Sequence, residues 1–446
     1  MASDMPKQLT VWLFGQQIGT LARVDGRLGF GYAPEWLSNP NAVALSRSLP
    51  LQPEPFDDRA SRPFFAGLLP EGDKRKLVAQ ALHVSRQNDF ALLDGIGGEC
   101  AGAATLLEPG QTPQAGATED AVRWLENADL VCVLDDMPRR PMLAGEQDMR
   151  LSLAGAQDKL PVVARMGSGK LQIGLPMFGS PSTHILKPAI PGIEGSVINE
   201  GFCMALARAL KLAVANAAIY RVEDGPQQRE FLLVERYDRQ RAQGDLLVDS
   251  AIHSTTPSVR LHQEDFCQAL GFPPETKYQS EGGPDLAQAF ALLRGATRPS
   301  APNTLRLLDF VIFNALVGNH DAHSKNFSLL YTTQGAVLAP LYDVLCTAVY
   351  PRLTDKMAMK IGSKYKFSEV QARHWVQFAN DAQLSPAQVK KRILDIAKRL
   401  PNLARSTQAD LEAQGNGHPT LGKIVTLIDQ RCTLTIRRLT APEVAP

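Results

Sequence analysis

The stretch GNHDAHSKN (Gly318–Asn326) and the later triplet LYD (Leu341–Asp343) are the most informative parts of this sequence about the fold and about a functional site. Asp321 and Asn326 are five positions apart, and Asp343 follows a segment that the sequence predicts to be a β-hairpin. The predicted strands are FSLLY and AVLAPLYD on either side of the turn TTQG, so the chain returns and brings Asp343 beside Asn326. Carboxylate and amide oxygens bind Mg²⁺, which keeps its remaining positions for phosphate and water. The three residues therefore predict a magnesium site for phosphate chemistry.

The interval between the Asp and the Asn is that of a protein-kinase catalytic loop. In such a loop the Asp takes the proton of the nucleophile and the Asn holds Mg²⁺. Asp321 is thus the predicted catalytic base, with Asn326 and Asp343 as metal ligands. The preceding segment LRLLDFVIFNALVG (Leu305–Gly318) has apolar residues at helical spacing and stops at glycine, so the site is expected just past a helix end. The competing interpretation is an ordinary turn, in which Asp and Asn cap the local backbone.

A lysine and a glutamate upstream complete the kinase pattern. Lys187 in HILKPA ends an apolar strand and precedes Glu200 by thirteen residues. In kinases a strand Lys binds the nucleotide phosphates and a Glu on the next helix orients it. Lys187 is therefore a predicted phosphate ligand and Glu200 its possible partner. Alternatively, Lys187 marks a strand end in solvent, and Glu200 simply favours the dipole of its helix.

The segment LSLAGAQDKLPVV (Leu151–Val163) occupies the place of a glycine-rich loop, although it lacks the G-x-G-x-x-G pattern. A turn through Gly155 presents backbone N–H groups to phosphate oxygens, as in other anion-binding turns. Ala156 belongs to the same turn, and Gln157 and Lys159 are close enough in sequence to assist.

The segment FLLVERYDR (Phe231–Arg239) falls where a kinase has the hinge between its lobes. Backbone groups of Glu235, Arg236 and Tyr237 are the predicted contacts to adenine. An edge strand leading into a charged turn is compatible with the same sequence.

Composition excludes several classes of protein. The 446 residues predict two to three domains, and 47 basic against 46 acidic residues give a net charge of +1, unlike a free-standing nucleic-acid binder. Six scattered cysteines without a CxxC pair indicate a reduced, cytoplasmic protein without a zinc site. Neither a signal peptide nor a membrane span is expected.

The order of predicted elements gives the fold class, α+β. Strand–strand–helix–strand–strand followed by a helical half predicts a bilobal protein-kinase-like fold with a β-rich N-terminal accessory domain. The predicted divisions are an accessory domain at 1–108, a linker with a short helix at 109–148, a region like a kinase N-lobe at 149–240, and a mainly helical C-lobe at 241–446. The last of these contains the catalytic loop and the metal-binding hairpin.

Taken together, these segments resemble the HipA family, the serine/threonine kinase toxins of bacterial HipBA toxin–antitoxin modules. The resemblance covers nearly the whole chain. The matching segments, in the family's order, are SLAGAQDKLPV, HILKP, INEGFCMALA, LVERYDR, HQEDFCQALG, GNHDAHSKNFSLLY and LAPLYDV.

The resemblance implies ATP and Mg²⁺ as cofactors, and it implies the same roles for Asp321, Asn326, Asp343 and Lys187 as the spacing does. It adds Ser152 as the autophosphorylated serine, whose modification is expected to expel the loop and inactivate the enzyme. Phosphorylation adds roughly −1.5 to −2 charges beside the phosphates of ATP. His323 and Lys325 are expected to shape the catalytic loop or to contact phosphate.

The resemblance also implies partners. These are a helix-turn-helix antitoxin of the HipB type, operator DNA reached through that antitoxin, and a protein substrate. The implied substrate is an aminoacyl-tRNA synthetase, with the glutamyl enzyme as the best candidate, so that phosphorylation inhibits translation and promotes growth arrest or persistence.

Three other interpretations stay open on the sequence alone. The same fold could phosphorylate a lipid or small molecule without acting as a toxin, or it could serve as an antitoxin- and DNA-binding module with little catalysis. A metal hydrolase centre could instead be built from His320, Asp321, His323 and Asp343, although such centres usually need more His or carboxylate ligands.

Overall fold

The computed structural model describes residues 7–113, 121–146, 149–167, 169–241 and 258–441. The chain forms two compact units. The first unit consists of Met1–Pro188, Tyr220–Pro274 and Leu330–Thr332, and the second of Ala189–Ile219, Glu275–Leu329 and Thr333–Pro446. The four-part division made from the sequence stays a prediction.

The N-terminal strands of the first unit form an antiparallel sheet in the order β3-β2-β1-β4. Along β1, residues Leu9, Val11 and Leu13 alternate with exposed or half-buried neighbours, so one face of the sheet covers the core. The turn between β2 and β3 has positive φ at Asp25 (50°) and Gly26 (80°), which is the hairpin geometry predicted from DGR. The strands are β1 (Lys7–Leu13), β2 (Gln16–Val24), β3 (Arg27–Tyr32) and β4 (Ala104–Leu107).

Helices pack against this sheet in the connection between β3 and β4. The sequence RPFFAGLLPEGDKRKLVAQAL (residues 62–82) predicts helix with a break at residues 70–72, and the structure has that break, because α2 ends at Gly67 and α3 begins at Gly72. The helices are α1 (Pro34–Leu37), α2 (Asp58–Gly67), α3 (Gly72–Ala81) and α4 (Asp89–Ile96).

A second sheet of the first unit has six strands in the order β5-β7-β6-β8-β10-β9. The sequence predicts two hairpins in this region, one around GSGK and one around GPQQ, and the sheet has β6 beside β7 and β9 beside β10 accordingly. The strands are β5 (Val122–Trp124), β6 (Leu160–Gly167), β7 (Lys170–Pro176), β8 (His184–Pro188), β9 (Ala217–Asp224) and β10 (Gln227–Glu235).

One prediction in this region was wrong. The segment AVRWLENADL was expected to be a short helix, but Val122–Trp124 pairs with β7 as an edge strand. Helix α5 (Asn127–Asp136) begins only after Glu126, whose side chain forms a capping box with Asp129. Pairing with an available sheet edge therefore overrides the local preference for helix.

The first unit also contains three short strands and a helix that connect to the C-terminal half. They are β11 (Arg239–Arg241), β12 (Ser258–Arg260), β13 (His262–Asp265) and α7 (Phe266–Leu270).

The second unit is mainly helical, as predicted for the C-terminal half. Its longest helices are α9, α11 and α12, and α11 starts where Ser385 accepts a hydrogen bond from the backbone N–H of Gln388. The helices are α6 (Ser196–Ala209), α8 (Leu286–Ala296), α9 (Ser300–Val317), α10 (Ala372–Asp381), α11 (Pro386–Ala413) and α12 (Pro419–Thr440). Among the described residues, no helix has the length and apolar character needed to cross a membrane.

Short strands interrupt this helical half in two places. The predicted hairpin after the catalytic loop is formed by β14 (Ser328–Thr332) and β15 (Gly335–Leu338), and its second strand stops before Pro340. The ribbon of β16 (Lys356–Ile361) and β17 (Lys364–Lys366) was not predicted. Its Lys, Met and Ala residues are good helix formers, and their strand conformation depends on pairing rather than propensity.

Candidate active site

The catalytic loop begins where α9 ends. The buried apolar side chains of α9 anchor the helix, and its last turn closes with the Gly318 N–H donating to the carbonyl of Asn314 at 3.1 Å. Gly318 has a φ of 81°, and a Cβ there would lie 2.8 Å from the Cβ of Ala348. Only glycine fits both requirements, so it fixes the direction in which the loop leaves the helix.

Hydrogen bonds within the loop set the relation between Asp321 and Asn326. The Asn326 Nδ2 donates to the backbone carbonyl of Asp321 at 2.9 Å, and the Asn319 Oδ1 accepts from the Asp321 N–H at 3.1 Å. Asn326 is buried, whereas Asp321 is exposed. The loop thus presents one carboxylate to solvent and holds one amide in a fixed orientation.

Tyr342 returns the hairpin to the loop. Its hydroxyl donates to the carbonyl of Lys325 at 2.8 Å and lies 2.7 Å from the hydroxyl of Ser328. The next residue, Asp343, is half-buried and has a φ of 58°, in the left-handed region that residues with a Cβ rarely adopt. Such strain is common at functional sites. The predicted return of Asp343 toward the catalytic loop is therefore supported by the contacts of its neighbour.

The donor set suits Mg²⁺. Because the Nδ2 of Asn326 is bound to the loop, its Oδ1 is the atom that would bind a cation, and the Asp343 carboxylate is the second predicted ligand. Among the described residues no group of three or more His, Cys, Asp or Glu side chains could hold a metal. Two protein ligands fit an ion that takes its other ligands from phosphate and water, since Mg²⁺ often binds in this way.

Burial lowers the pKa of both histidines of the loop. Burial, followed by the charge of Lys277, places the pKa of His323 well below its usual value, and the Asp343 carboxylate opposes this shift. Burial also lowers the pKa of His320. The His320 Nδ1 lies 3.0 Å from the carbonyl of Thr354 and its Nε2 lies 2.9 Å from a guanidinium nitrogen of Arg431. Both ring nitrogens of His320 are therefore engaged, which argues against a hydrolase centre that uses it.

Tyr278 contacts the predicted base, and the sequence did not reveal it. Its hydroxyl donates to the Oδ1 of Asp321 at 2.5 Å, and its ring lies edge-on to His323 with centroids 5.1 Å apart. The adjacent Lys277 accepts a backbone hydrogen bond from Ser324 at 3.4 Å. Residues 276–278 precede the loop by forty positions or more and carry no motif, so no sequence signal could have identified them.

In the first unit, Lys187 lies on β8 opposite Leu232 of β10. It is 5% exposed, which excludes the interpretation of a solvent-exposed strand end. A buried ammonium group requires anionic or polar partners, and the role of Lys187 in binding nucleotide phosphates stays a prediction. Glu200 is also buried, on α6 of the second unit, and its pairing with Lys187 stays a prediction.

The Leu151–Lys159 segment is bound to the N-terminal part of the first unit. Ser152 is 0% exposed, its hydroxyl donates to the carbonyl of Leu68 at 2.7 Å, and its N–H donates to the carbonyl of Glu99 at 2.9 Å. The Gly155 carbonyl accepts from the N–H of Glu71 at 3.0 Å. The predicted phosphorylation site is therefore closed as long as this segment stays in place.

Gly155 lies in a turn with a positive φ, and its contact with phosphate stays a prediction. Its φ is 115°, and a Cβ there would lie 2.7 Å from the Nζ of Lys159. The ammonium group of Lys159 thus lies directly over the backbone of the turn. Roles for Ala156 and Gln157 remain predictions.

The hinge segment has an engaged backbone at its centre. The Arg236 N–H donates to the carbonyl of Thr183 at 3.0 Å, and the Arg236 carbonyl accepts from the N–H of Arg239 at 3.2 Å. The adenine contacts expected from Glu235, Arg236 and Tyr237 stay a prediction.

The side chain of Arg236 belongs to a buried ion cluster that the sequence did not predict. Its guanidinium contacts Glu99 at 3.0 Å and Asp238 at 2.7 Å, and the Glu99 carboxylate also contacts Arg239 at 2.8 Å and Arg260. Burial alone would raise the pKa of Glu99, but the guanidinium groups, Arg239 first, lower it to about 2. We call these five residues the Glu99 cluster.

The mixed fold with its kinase-type catalytic loop places the chain in the class of kinase-like α+β proteins. Family models agree with this class. The HipA N-terminal domain matches residues 9–107, and the HipA-like C-terminal domain matches residues 151–404. The chain therefore belongs to the HipA family.

Individual relatives support this assignment. "Putative kinase Y4mE" of Sinorhizobium fredii is 48% identical over 391 residues, which cover 87% of this chain and 89% of the relative. The serine/threonine-protein kinase toxin HipA of Shewanella oneidensis is 30% identical over 381 residues, which cover 83% of this chain and 82% of the relative. A solved complex of HipA, HipB and operator DNA from Shewanella oneidensis matches with a TM-score of 0.77 and 26% identity, over 97% of this chain and 98% of that chain.

Proposed function

We propose that this protein is an ATP- and Mg²⁺-dependent serine/threonine protein kinase and the toxin of a HipBA-type module. The observation that carries the proposal is the exposed Asp321 carboxylate, which accepts a hydrogen bond from a hydroxyl, that of Tyr278, at 2.5 Å. A substrate hydroxyl has to make the same contact with a catalytic base.

The proposed mechanism needs a base, two metal ligands and groups that bind the nucleotide phosphates. Asp321 accepts the proton of the substrate hydroxyl, and Asn326 and Asp343 hold the cation. Bound Mg²⁺ neutralises charge on the nucleotide phosphates. Lys187 binds those phosphates, and the turn through Gly155 covers them.

Ser152 is the proposed site of inactivating autophosphorylation. A phosphate group has no space at a fully buried hydroxyl bound to the carbonyl of Leu68. The Ser152 segment therefore has to leave its contacts with Leu68, Glu71 and Glu99 before modification, and the added charge then opposes its return.

The partners are proposed from the family. A HipB-type antitoxin and operator DNA reached through it are the proposed assembly, because the matching solved complex contains HipA, HipB and operator DNA. The proposed substrate is an aminoacyl-tRNA synthetase, with the glutamyl enzyme tested first, so that translation stops and growth arrest or persistence follows. The proposed location is the cytoplasm.

Incubation of the dephosphorylated protein with ATP and Mg²⁺, followed by intact-mass analysis and peptide mapping, tests the kinase. We expect one phosphate on Ser152, and none in an Asp321→Ala control. A parallel reaction with purified glutamyl-tRNA synthetase tests the substrate. Absence of phosphate on every protein, despite demonstrated ATP binding, would contradict the proposal and favour a non-protein substrate or a binding role.

A further inference from the structure

One buried side chain joins α6 to the segment that follows Asp343. Asn199 on α6 is 0% exposed, its Oδ1 accepts from the N–H of Cys346 at 2.8 Å, and its Nδ2 donates to the carbonyl of Cys346 at 3.1 Å. A side-chain amide thus binds both backbone groups of one residue, as a neighbouring strand would. All of these residues lie in the second unit.

Tyr350 completes the arrangement. The Nδ2 of Asn199 also donates to the Tyr350 hydroxyl at 3.1 Å, and that hydroxyl donates to the carbonyl of Glu194 at 3.0 Å, just before α6. Both donors of the amide and its acceptor oxygen are therefore used. No other side chain of this size offers the same combination of two donors and an acceptor.

The other side of Asp343 is anchored to the same region. Leu341 donates its N–H to the carbonyl of Ala213 at 2.9 Å, and its carbonyl accepts from the N–H of Ala215 at 2.9 Å. Residues 213–215 continue the chain shortly after α6. The segment that carries Asp343 is thus fixed at two points, both of them on α6 or on its continuation.

These anchors explain how Asp343 keeps its conformation. Its φ of 58° lies in the left-handed region, a conformation that surrounding contacts have to hold in place. Mg²⁺ demands near-ideal ligand geometry, so a carboxylate that moves with its backbone binds it less well.

We propose that Asn199 is a positioning residue of the active site, which holds the Asp343 segment in the conformation that binds the cation. This inference rests on the proposed role of Asp343 as a metal ligand. Asn199 acts through Cys346 and contacts neither nucleotide nor cation. It also couples the metal-binding segment to α6, the helix that carries Glu200.

Binding of Mn²⁺, used as a probe for Mg²⁺, tests the proposal in the full-length protein with a non-hydrolysable ATP analogue. Paramagnetic resonance measures free Mn²⁺, and a separate titration measures nucleotide affinity without metal. For Asn199→Ala we expect about 10- to 100-fold weaker Mn²⁺ binding, the range found when groups that orient a ligand are removed. Metal-free nucleotide affinity should stay at the wild-type value.

Asn303→Ala is the matched control. Asn303 is a buried asparagine of the same unit, and its Oδ1 accepts from the backbone N–H of Leu338 at 2.9 Å. It has no hydrogen bond to residues 341–346. Thermal unfolding should show a loss of stability in both variants, whereas Mn²⁺ affinity should fall only in Asn199→Ala.

Wild-type Mn²⁺ affinity in folded Asn199→Ala would overturn the proposal, as would an equal loss in the Asn303 control. If Asn199→Ala does not fold, Tyr350→Phe replaces it; this change removes the hydroxyl that binds Asn199 and Glu194 but keeps both bonds of Asn199 to Cys346, so the expected loss is about 2- to 10-fold. Unchanged affinity in that variant would overturn the proposal as well.

An Asp343→Asn variant separates failure of the inference from failure of its premise. Undiminished Mn²⁺ binding by Asp343→Asn would remove the metal assignment on which the inference depends, and the phosphorylation assay would then decide separately whether the protein is a kinase.

Discussion

The Glu99 cluster and the catalytic loop both contain charged side chains, but they hold them in opposite environments. In the cluster, the side chains of Glu99 and Arg236 are 0% and 1% exposed and bind each other and their neighbours. In the loop, Asp321 is exposed, whereas His320, His323 and Asn326 are buried. Buried charges that pair with one another stabilise the structure, whereas the exposed Asp321 carboxylate is the group that we propose contacts a substrate.

Asp321→Ala should strongly lower the phosphorylation rate but leave the stability of the protein nearly unchanged. Loss of a general base lowers the rate by roughly 10²–10⁴-fold. Because Asp321 is exposed, the free energy of unfolding should change little. Autophosphorylation rate and urea unfolding measure the two quantities, and a purified variant with nearly full activity would remove Asp321 from its proposed role.

Glu99→Ala should have the opposite profile, with a large loss of stability. The change leaves three guanidinium groups with one carboxylate, and breaking a buried ion pair typically costs about 3–5 kcal/mol. Urea unfolding measures the loss, with Glu99→Gln as a control that keeps the shape and some hydrogen bonds. A loss below about 1 kcal/mol would mean that the cluster is not the stabilising element described here.

A second buried carboxylate in the first unit should give stability a distinct pH dependence. Burial raises the pKa of Glu264 to about 7, although Ser46 and Tyr331 donate hydrogen bonds to it. Its folded pKa lies above the model-peptide value of 4.5, so the folded protein binds the extra proton. The stability contribution is full below pH 4.5 and is lost as pH rises through about 7, on the order of 3 kcal/mol in total.

Glu264→Gln should remove this dependence. The unfolding free energies of wild type and variant are measured by urea between about pH 5 and 8. The difference between them should change with pH, because only the wild type loses the contribution of Glu264 as pH rises. Glu99, with its lowered pKa of about 2, has the opposite sign and loses its contribution only when the pH falls below 4.5. Parallel curves for wild type and Glu264→Gln would contradict the assignment.

The sequence correctly predicted those features of the fold that depend on residues close to one another along the chain. The stop of α9 at Gly318, the hairpin after the loop and the spacing of Asp321 and Asn326 are local features, and the structure contains each of them. The edge strand Val122–Trp124 was mistaken for helix because its conformation depends on a partner strand about fifty residues away. Propensity carries no information about such a partner.

The parts of the site that were missed all depend on distant contacts. Tyr278 meets Asp321 across 43 positions, Arg236 meets Glu99 across 137, and Asn199 meets Cys346 across 147. Tyr278 lies in a stretch without a motif, and neither INEGFCMALA around Asn199 nor LVERYDR around Arg236 indicates the distant partner of its residue. Only the fold brings these pairs together, so a pattern of spacing could identify the loop but not the residues that position it.

An exposed ion pair of the second unit tests whether burial, rather than charge, makes the Glu99 cluster strong. Arg399 and Asp395 on α11 contact each other at 3.0 Å, close to the 2.7 Å of Arg236 and Asp238, but their side chains are 47% and 46% exposed. Solvent and salt screen such a pair, so Asp395→Asn should cost only about 0.3–0.5 kcal/mol in urea unfolding. Raising the salt concentration should abolish that small difference but leave the cost of Glu99→Ala nearly unchanged, since buried pairs are screened much less. Equal salt sensitivity of the two variants would mean that the cluster is reached by solvent, and the contrast between the two regions would then fail.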